Sequence, residues 1–98
     1  MINSKSLREL LAERGDKITL LDVREPEEFE EDHLPGCKLI PLGDLMSRAN
    51  RELDPDAEIV IYCAHGVRSM HALMGLRSLG YEKLRSLEGG LSAYREEA

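Results

Sequence analysis

Short apolar runs alternate with amphipathic segments along the whole chain, and this alternation restricts the folds that it can adopt. Four runs are suited to buried strands, at residues 18–23, 37–40, 59–62 and 84–87. The segments between them place apolar residues at helical spacing, most clearly in residues 67–79. Strands that alternate with helices in this way indicate a parallel sheet with helices packed on its faces. We therefore predict an α/β fold whose ligand lies at the carboxyl ends of the strands.

Capping signals predict where several helices begin and end. Ser6 and Glu9 form a capping-box pattern, S-L-R-E, and Gly15 is placed to end the helix that follows. Pro26 suits the first position of a second helix. Gly80 stands where a C-terminal cap of the 67–79 helix belongs. These signals agree with the alternation of strands and helices.

The length and charge of the chain exclude several classes of protein. Ninety-eight residues form one small domain, 1–98. A formal net charge of −6 argues against nucleic acid or an anionic membrane as the partner, because both require a basic surface. The polar N-terminus resembles neither a signal peptide nor a membrane span, so we expect a cytoplasmic protein. In that reducing compartment we expect Cys37 and Cys63 to stay free thiols. Neither the two cysteines nor the three histidines have the spacing of a metal-binding motif.

The segment CAHGVRS, residues 63–69, lies between the clearest strand and the clearest helix. Cys63 stands at the carboxyl end of the strand, where a side chain can be exposed. The N–H groups of a helix N-terminus lack intrahelical partners and stabilise negative charge, and Arg68 adds a permanent positive charge. A free cysteine titrates near about 8.5, and such surroundings lower that pKa. We therefore predict that Cys63 is largely thiolate at neutral pH.

Several residues near this segment have alternative interpretations. Cys63 has the alternative of a small buried hydrophobe at a strand end. Asp22, at the end of a neighbouring strand, is a candidate for orienting the 63–69 loop or is a simple polar terminus. His65 either lends positive charge when protonated or faces solvent. The six acidic residues in the 25–32 run indicate a solvated helix face, with docking of a basic partner as the alternative.

Four motifs in chain order resemble those of the rhodanese family, and together they span nearly the whole chain. They are LDVREPEEF at 21–29, HLPG at 33–36, CAHGVRS at 63–69 and EGG at 88–90. Cys37 departs from the family pattern, which commonly has a small residue there, and Tyr94 stands where the family commonly has Trp. Neither departure touches the 63–69 loop. From its predicted strand, Cys37 is expected to be a packed core cysteine rather than a second reactive thiol.

The resemblance implies a rhodanese-like fold, with a central parallel sheet of four to five strands and helices on both faces. It implies a sulfurtransferase in which Cys63 accepts a sulfane sulfur and passes it on, with Arg68 as the second candidate catalytic residue. The implied donor is a small anionic sulfur compound such as thiosulfate, or a protein persulfide, and the acceptor is a thiol or cyanide. No cofactor is expected, because the cysteine itself carries the sulfur. The candidate anion cradle consists of Ala64, His65, Gly66, Val67, Arg68 and Ser69.

Two other functions compete with sulfur transfer. Cysteine phosphatases also place a Cys-to-Arg loop at a helix N-terminus, but they resemble C-x5-R, whereas four residues separate Cys63 from Arg68. One residue fewer removes about 3.5 Å of chain, so we infer a cradle sized for one sulfur atom rather than for a phosphoryl group. The second rival is a non-catalytic interaction module, since one fold serves many functions. The joint presence of Cys63, Gly66 and Arg68 favours the enzyme.

Overall fold

Four strands and five α-helices account for most of residues 1–97, the part of the chain that the computed structural model describes. In chain order they are α1 (Ser4–Arg14), β1 (Ile18–Asp22), α2 (Pro26–Glu31), β2 (Lys38–Leu39), α3 (Leu45–Glu52), β3 (Glu58–Tyr62), α4 (Val67–Ser78), β4 (Leu84–Ser86) and α5 (Gly90–Glu96). Single 3₁₀ turns at Gly15–Lys17 and Leu42–Asp44 precede β1 and α3. Ala98, the last residue of the expected 1–98 domain, lies outside the described residues.

The strands form one sheet in the spatial order β2-β1-β3-β4, and every neighbouring pair is parallel. β1 and β3 pair over their full length, from Ile18 beside Glu58 to Asp22 beside Tyr62. Because all strands run in one direction, the loops that follow β1, β3 and β4 meet at the same edge of the sheet. The predicted α/β fold with a parallel sheet is confirmed, and the candidate site lies at this edge.

Helices cover both faces of the sheet, as predicted. Successive strand residues point to opposite faces, so Ile59 and Ile61 enter one core while Val60 and Tyr62 enter the other. On the first face, α3 and α4 contribute Leu45, Ala49, Ala72, Leu73 and Leu76. On the second face, α1 and α5 contribute Leu7 and Leu91. Burial of each such leucine stabilises the fold by about 1.5–3 kcal/mol, which fixes α4 and α5 on opposite faces beside the same strand ends.

The predicted capping box of Ser6 and Glu9 is wrong. Asn3 caps α1 instead, and its Oδ1 accepts a hydrogen bond of 2.8 Å from the N–H of Ser6. The cause lies outside the helix, because Ile2 extends the sheet beside β4 and donates to the Ser86 carbonyl at 3.0 Å. Once Ile2 is held at the sheet edge, Asn3 is the next residue that can cap the helix.

The second strand is shorter than the predicted run 37–40, since β2 contains only Lys38–Leu39. Cys37 precedes it and closes the turn in which Gly36 has a φ of +77°, and the Cys37 N–H donates to the Leu34 carbonyl at 3.3 Å. A positive φ favours glycine at this position. The turn therefore extends one residue further into the apolar run than the sequence pattern predicts.

Candidate active site

The 63–69 loop joins β3 to α4 at the carboxyl edge of the sheet. Gly66 is the N-cap of α4 and has a φ of +105°, a conformation that L side chains rarely adopt. Cys63 is buried, with 1% of its surface exposed, so the expectation of an exposed side chain at the strand end is wrong. The loop turns back over the thiol because the helix begins only four residues later.

Main-chain N–H groups surround the sulfur of Cys63. The Sγ atom accepts hydrogen bonds from the N–H of Gly66 at 3.1 Å and of Ser69 at 3.3 Å, and the Ser69 Oγ lies 3.6 Å away. Burial of the thiol raises its pKa, but the Ser69 hydroxyl and the N–H groups of Ser69, Gly66 and His65 lower it by more. The net pKa of Cys63 lies below its ordinary value. The geometry thus favours an anionic sulfur.

A second buried serine supports this arrangement. Ser86, on β4, has its Oγ 2.7 Å from the Ser69 Oγ, and both side chains are almost fully buried. Ser69 also donates to the Gly66 carbonyl at 3.1 Å. The Ser69 hydroxyl is therefore held between β4 and the loop, beside the sulfur of Cys63. Ser86 was not among the predicted site residues, although a serine inside the run 84–87 was a signal that could have identified it.

The carbonyl groups of Cys63 and Ala64 point towards α5. The Cys63 carbonyl accepts from the Leu91 N–H at 2.8 Å, and the Ala64 carbonyl accepts from the Ser92 N–H at 3.0 Å. Gly90 permits this approach: a Cβ there would lie 2.5 Å from the carbonyl atoms of Ala64 and the carbonyl oxygen of Cys63. The EGG motif at 88–90 therefore orients the loop, a role that was not predicted from the sequence.

Arg68 does not provide a free positive charge. Its guanidinium forms a bidentate ion pair with Glu28 of α2, with N–O distances of 2.8 and 3.0 Å. The hydrogen bonds from Arg68 hold the pKa of Glu28 at about 2. The interpretation of the whole 25–32 run as a solvated face is thus wrong for Glu28, which fastens α2 to the first turn of α4.

Asp22 binds Arg24 rather than the loop. Its buried carboxylate accepts from the Arg24 N–H at 2.9 Å and from the Arg24 guanidinium at 2.7–3.2 Å. The same guanidinium donates to the Asp32 carbonyl at 2.6 Å. The structure therefore does not bring Asp22 into hydrogen-bond contact with the 63–69 loop, and Asp22 instead fixes Arg24 beside the C-terminus of α2.

A cleft of about 200 Å³ opens beside the loop, between α2 and α5. Arg95 of α5 pairs with Asp32 across it, at 2.7 and 2.8 Å. The remaining walls include Arg24, Glu28, Glu31, Ala64, Leu91 and Ser92. The cleft thus brings paired charges of both signs next to the cysteine loop.

The other candidate residues lie further from the sulfur. The side chains of His65 and Val67 are exposed on the outside of the loop, although the His65 N–H contributes to the sulfur environment. Cys37 is half-buried against the second core, with its Sγ 3.3 Å from the Tyr62 hydroxyl, and burial raises its pKa. This packed position is the one predicted for Cys37. The structure therefore presents two thiols of opposite character.

Residues 1–97 contain neither a membrane-spanning helix nor a cluster of metal ligands. No α-helix there has the length and apolar character needed to cross a bilayer. No group of three or more His, Cys, Asp or Glu side chains there is arranged to hold a metal ion.

Known protein sequences resemble this chain over nearly its whole length. The rhodanese-like domain model matches residues 4–97. YqhL of Bacillus subtilis is 41% identical over 78 residues, which cover 80% of this chain and 61% of that protein. A sulfurtransferase of Allochromatium vinosum is 34% identical over 93 residues, covering 95% of this chain and 85% of that protein. The chain thus spans less than two thirds of YqhL and most of the second relative.

Solved structures show the same similarity. The human single-domain sulfurtransferase TSTD1 superposes with a TM-score of 0.90 at 29% identity, covering 100% of this chain and 96% of that one. The rhodanese-like domain of the Anabaena protein Alr3790 superposes with a TM-score of 0.92 at 30% identity, covering 100% and 74%. Sequence match, sheet topology and cysteine loop agree, and the chain belongs to the rhodanese-like domain family.

Proposed function

We propose that this protein is a sulfurtransferase that carries sulfur as a persulfide on Cys63. The observation that supports it most strongly is the pair of N–H donors, from Gly66 and Ser69, on a buried Sγ. A small hydrophobe at a strand end needs no such donors, whereas a nucleophilic thiolate does. The sulfurtransferases among its relatives support the same reaction class.

The reaction proceeds in two displacements. The Cys63 thiolate attacks the outer sulfur of the donor, a new S–S bond forms, and the old bond breaks with its electron pair leaving on the donor remainder. That remainder is sulfite if the donor is thiosulfate, and a thiolate if the donor is a persulfide. A thiol or cyanide acceptor then attacks the outer sulfur, and Cys63 leaves as a thiolate. No oxidant or cofactor is consumed.

The main-chain N–H groups of the loop, which stabilise the free Cys63 thiolate, also stabilise the Cys63 persulfide intermediate. The outer sulfur of a Cys63 persulfide lies above the buried Sγ, where the first turn of α4 presents main-chain donors to an anion. The carbonyl groups of Cys63 and Ala64 instead accept hydrogen bonds from α5. The short spacing between Cys63 and Arg68 favours one sulfur atom over a phosphoryl group.

The charges around the loop favour a persulfide over thiosulfate as the donor. Thiosulfate is a dianion and gains affinity from unpaired cations. The two guanidiniums that line the cleft and the one in the loop each pair with a carboxylate: Arg24 with Asp22, Arg95 with Asp32, and Arg68 with Glu28. We therefore propose weak binding of thiosulfate and efficient transfer from persulfides. A free Cys63 requires a reducing compartment, and we propose the cytoplasm.

Intact-protein mass after donor treatment tests the proposal. Wild type and Cys63→Ser are incubated with glutathione persulfide or thiosulfate, and Cys37→Ser is the matched control for loss of a thiol. We expect wild type and Cys37→Ser to gain one sulfur atom, released by cyanide, and Cys63→Ser to gain none. If wild type takes up no sulfur from either donor, the protein is a non-catalytic interaction module instead.

A further inference from the structure

Exposed apolar side chains are concentrated on α3 and α4, and α4 begins at the cysteine loop. Among residues 1–97, five large apolar side chains are exposed, and one of them is the terminal Met1. The other four lie on α3, on α4 or at the end of α4. They are Met46, Val67, Met74 and Leu79, with Val67 66% and Met74 65% exposed. Such a concentration on one part of a small protein marks an interaction surface.

Three of these side chains share a surface that begins at the cysteine loop. Val67 is the first residue of α4, and Met74 follows it two turns later on the same side, about 10 Å along the axis. The Met46 sulfur packs against α4 at Gly75. The contact is so close that a Cβ on residue 75 would lie only 3.2 Å from this sulfur. His71 and Arg77 are exposed one turn to either side of Met74. We define the α4 face as Met46, Val67, His71, Met74 and Arg77.

The charge of this surface is opposite to that of the whole chain. The chain holds 19 acidic residues and a formal net charge of −6, yet α4, with the sequence VRSMHALMGLRS, contains no acidic residue. Arg68 is paired with Glu28. Arg77 and His71, however, flank Met74 at the centre of the face. A complementary surface is therefore apolar at its centre and carries carboxylates at its rim.

We propose that the α4 face docks an acidic protein that delivers sulfur as a cysteine persulfide. The proposal rests on the proposed function and specifies its donor. Val67 lies in the helix turn that surrounds the Cys63 sulfur, so a partner seated on the face presents its cysteine at the mouth of the loop. The partner's persulfide S–S bond breaks, an S–S bond to Cys63 forms, and the partner leaves with a thiolate. Because the arginines of the loop and the cleft are paired with carboxylates, they do not favour thiosulfate, a free dianion, as the donor. This agrees with sulfur that a partner protein delivers.

Sulfur transfer from three defined donors tests this docking surface. Two synthetic peptides each carry one cysteine persulfide and two leucines, with glutamates in one and lysines in the other, and glutathione persulfide is the small donor. The variants are Met74→Glu and Arg77→Glu on the α4 face. Their matched controls are Ala12→Glu and Lys5→Glu, exposed positions of α1 on the opposite face of the sheet.

We expect the acidic peptide to load wild type faster than the basic peptide, with a difference that shrinks as salt is added. Each α4-face variant should lower kcat/KM for the acidic peptide about tenfold, the size of one interface contact. The same variants should keep the glutathione persulfide rate, and the α1 controls should keep both rates. Equal loading by both peptides, or an unchanged rate in Met74→Glu, overturns the docking proposal. Failure of glutathione persulfide to load wild type would instead refute the proposed function.

Discussion

The hydroxyl oxygens of Ser69 and Ser86 lie 2.7 Å apart, and Ser69 Oγ lies 3.6 Å from the sulfur of Cys63. Ser86 belongs to β4, whereas Cys63 follows β3, so this pair of hydroxyls connects an edge strand with the candidate nucleophile. When Cys63 is a thiolate, the Ser69 hydroxyl can turn its single proton from the Gly66 carbonyl to the sulfur, while Ser86 donates to Ser69. The two serines thus act in series on the same negative charge.

Removal of these hydroxyls should slow the reaction of Cys63 with iodoacetamide at neutral pH. We expect Ser69→Ala to slow it about fivefold, the effect of one hydrogen bond of about 1 kcal/mol. Ser86→Ala should act in the same direction but less, because it reaches the sulfur only through Ser69. Ser78→Ala removes an exposed hydroxyl from the far end of α4 and should change nothing. A Ser86→Ala rate equal to wild type would show that Ser86 only fills space.

Alanine at Gly90 should be strongly destabilising. Its Cβ would meet Ala64 and Cys63 backbone atoms at 2.5 Å, and its φ of +65° adds strain. We expect Gly90→Ala to lower the free energy of unfolding by more than about 2 kcal/mol, measured by urea denaturation. Gly36 also has a positive φ, but no atom lies close to the position of its Cβ, so Gly36→Ala measures the backbone strain alone. We expect it to lower the free energy of unfolding by about 1 kcal/mol. Gly43→Ala is the control and should leave the free energy of unfolding unchanged. Equal losses of stability in Gly36→Ala and Gly90→Ala would contradict the close contact between α5 and the backbone of residues 63 and 64.

The ion pair of Arg68 and Glu28 should make stability depend on pH in the acid range. The pKa of Glu28 is lowered from 4.5 to about 2 in the folded chain, so the pair stabilises the fold above about pH 4.5, and this contribution is lost as pH falls towards 2. Because both side chains are about a third exposed, we expect Glu28→Gln to cost only about 0.5–1 kcal/mol at neutral pH.

Urea denaturation of wild type and Glu28→Gln at several pH values checks this. The difference in unfolding free energy should be constant from neutral pH to about 4.5 and shrink below it. A difference that grows as the pH falls would have the wrong sign for a carboxylate with a lowered pKa.

Removal of the carboxylate that pairs with Arg95 should make thiosulfate a better donor. Asp32→Asn leaves Arg95 without its carboxylate at the edge of the cleft. We expect the KM for thiosulfate to fall about threefold, since an exposed pair is worth less than about 1 kcal/mol. The glutathione persulfide rate should stay unchanged, and Asp56→Asn, in the turn before β3, is the control. An unchanged KM for thiosulfate in Asp32→Asn would show that charge pairing does not limit this donor.

The sequence predicted the parts of the site that are contiguous in the chain. Cys63, Gly66 and Ser69 lie in one strand–loop–helix segment, and the N–H donors follow from the start of α4. Contacts between distant segments could not be predicted locally. Ser86 approaches Ser69 only because β4 pairs with β3, and Arg68 is neutralised only because α2 packs beside α4. The burial of Cys63 and the early start of α1 likewise depend on tertiary packing.

The pH dependence of Cys63 alkylation tests the central claim that main-chain N–H groups stabilise an anionic sulfur at this position. The Cys37→Ser variant leaves Cys63 as the one thiol of the chain, and its iodoacetamide rate is followed across the titration beside free cysteine. We predict a midpoint below that of free cysteine, because the hydrogen bonds from Ser69, Gly66 and His65 outweigh burial. A midpoint at or above the free-cysteine value would contradict the account, since burial would then dominate and Cys63 would be a packed thiol.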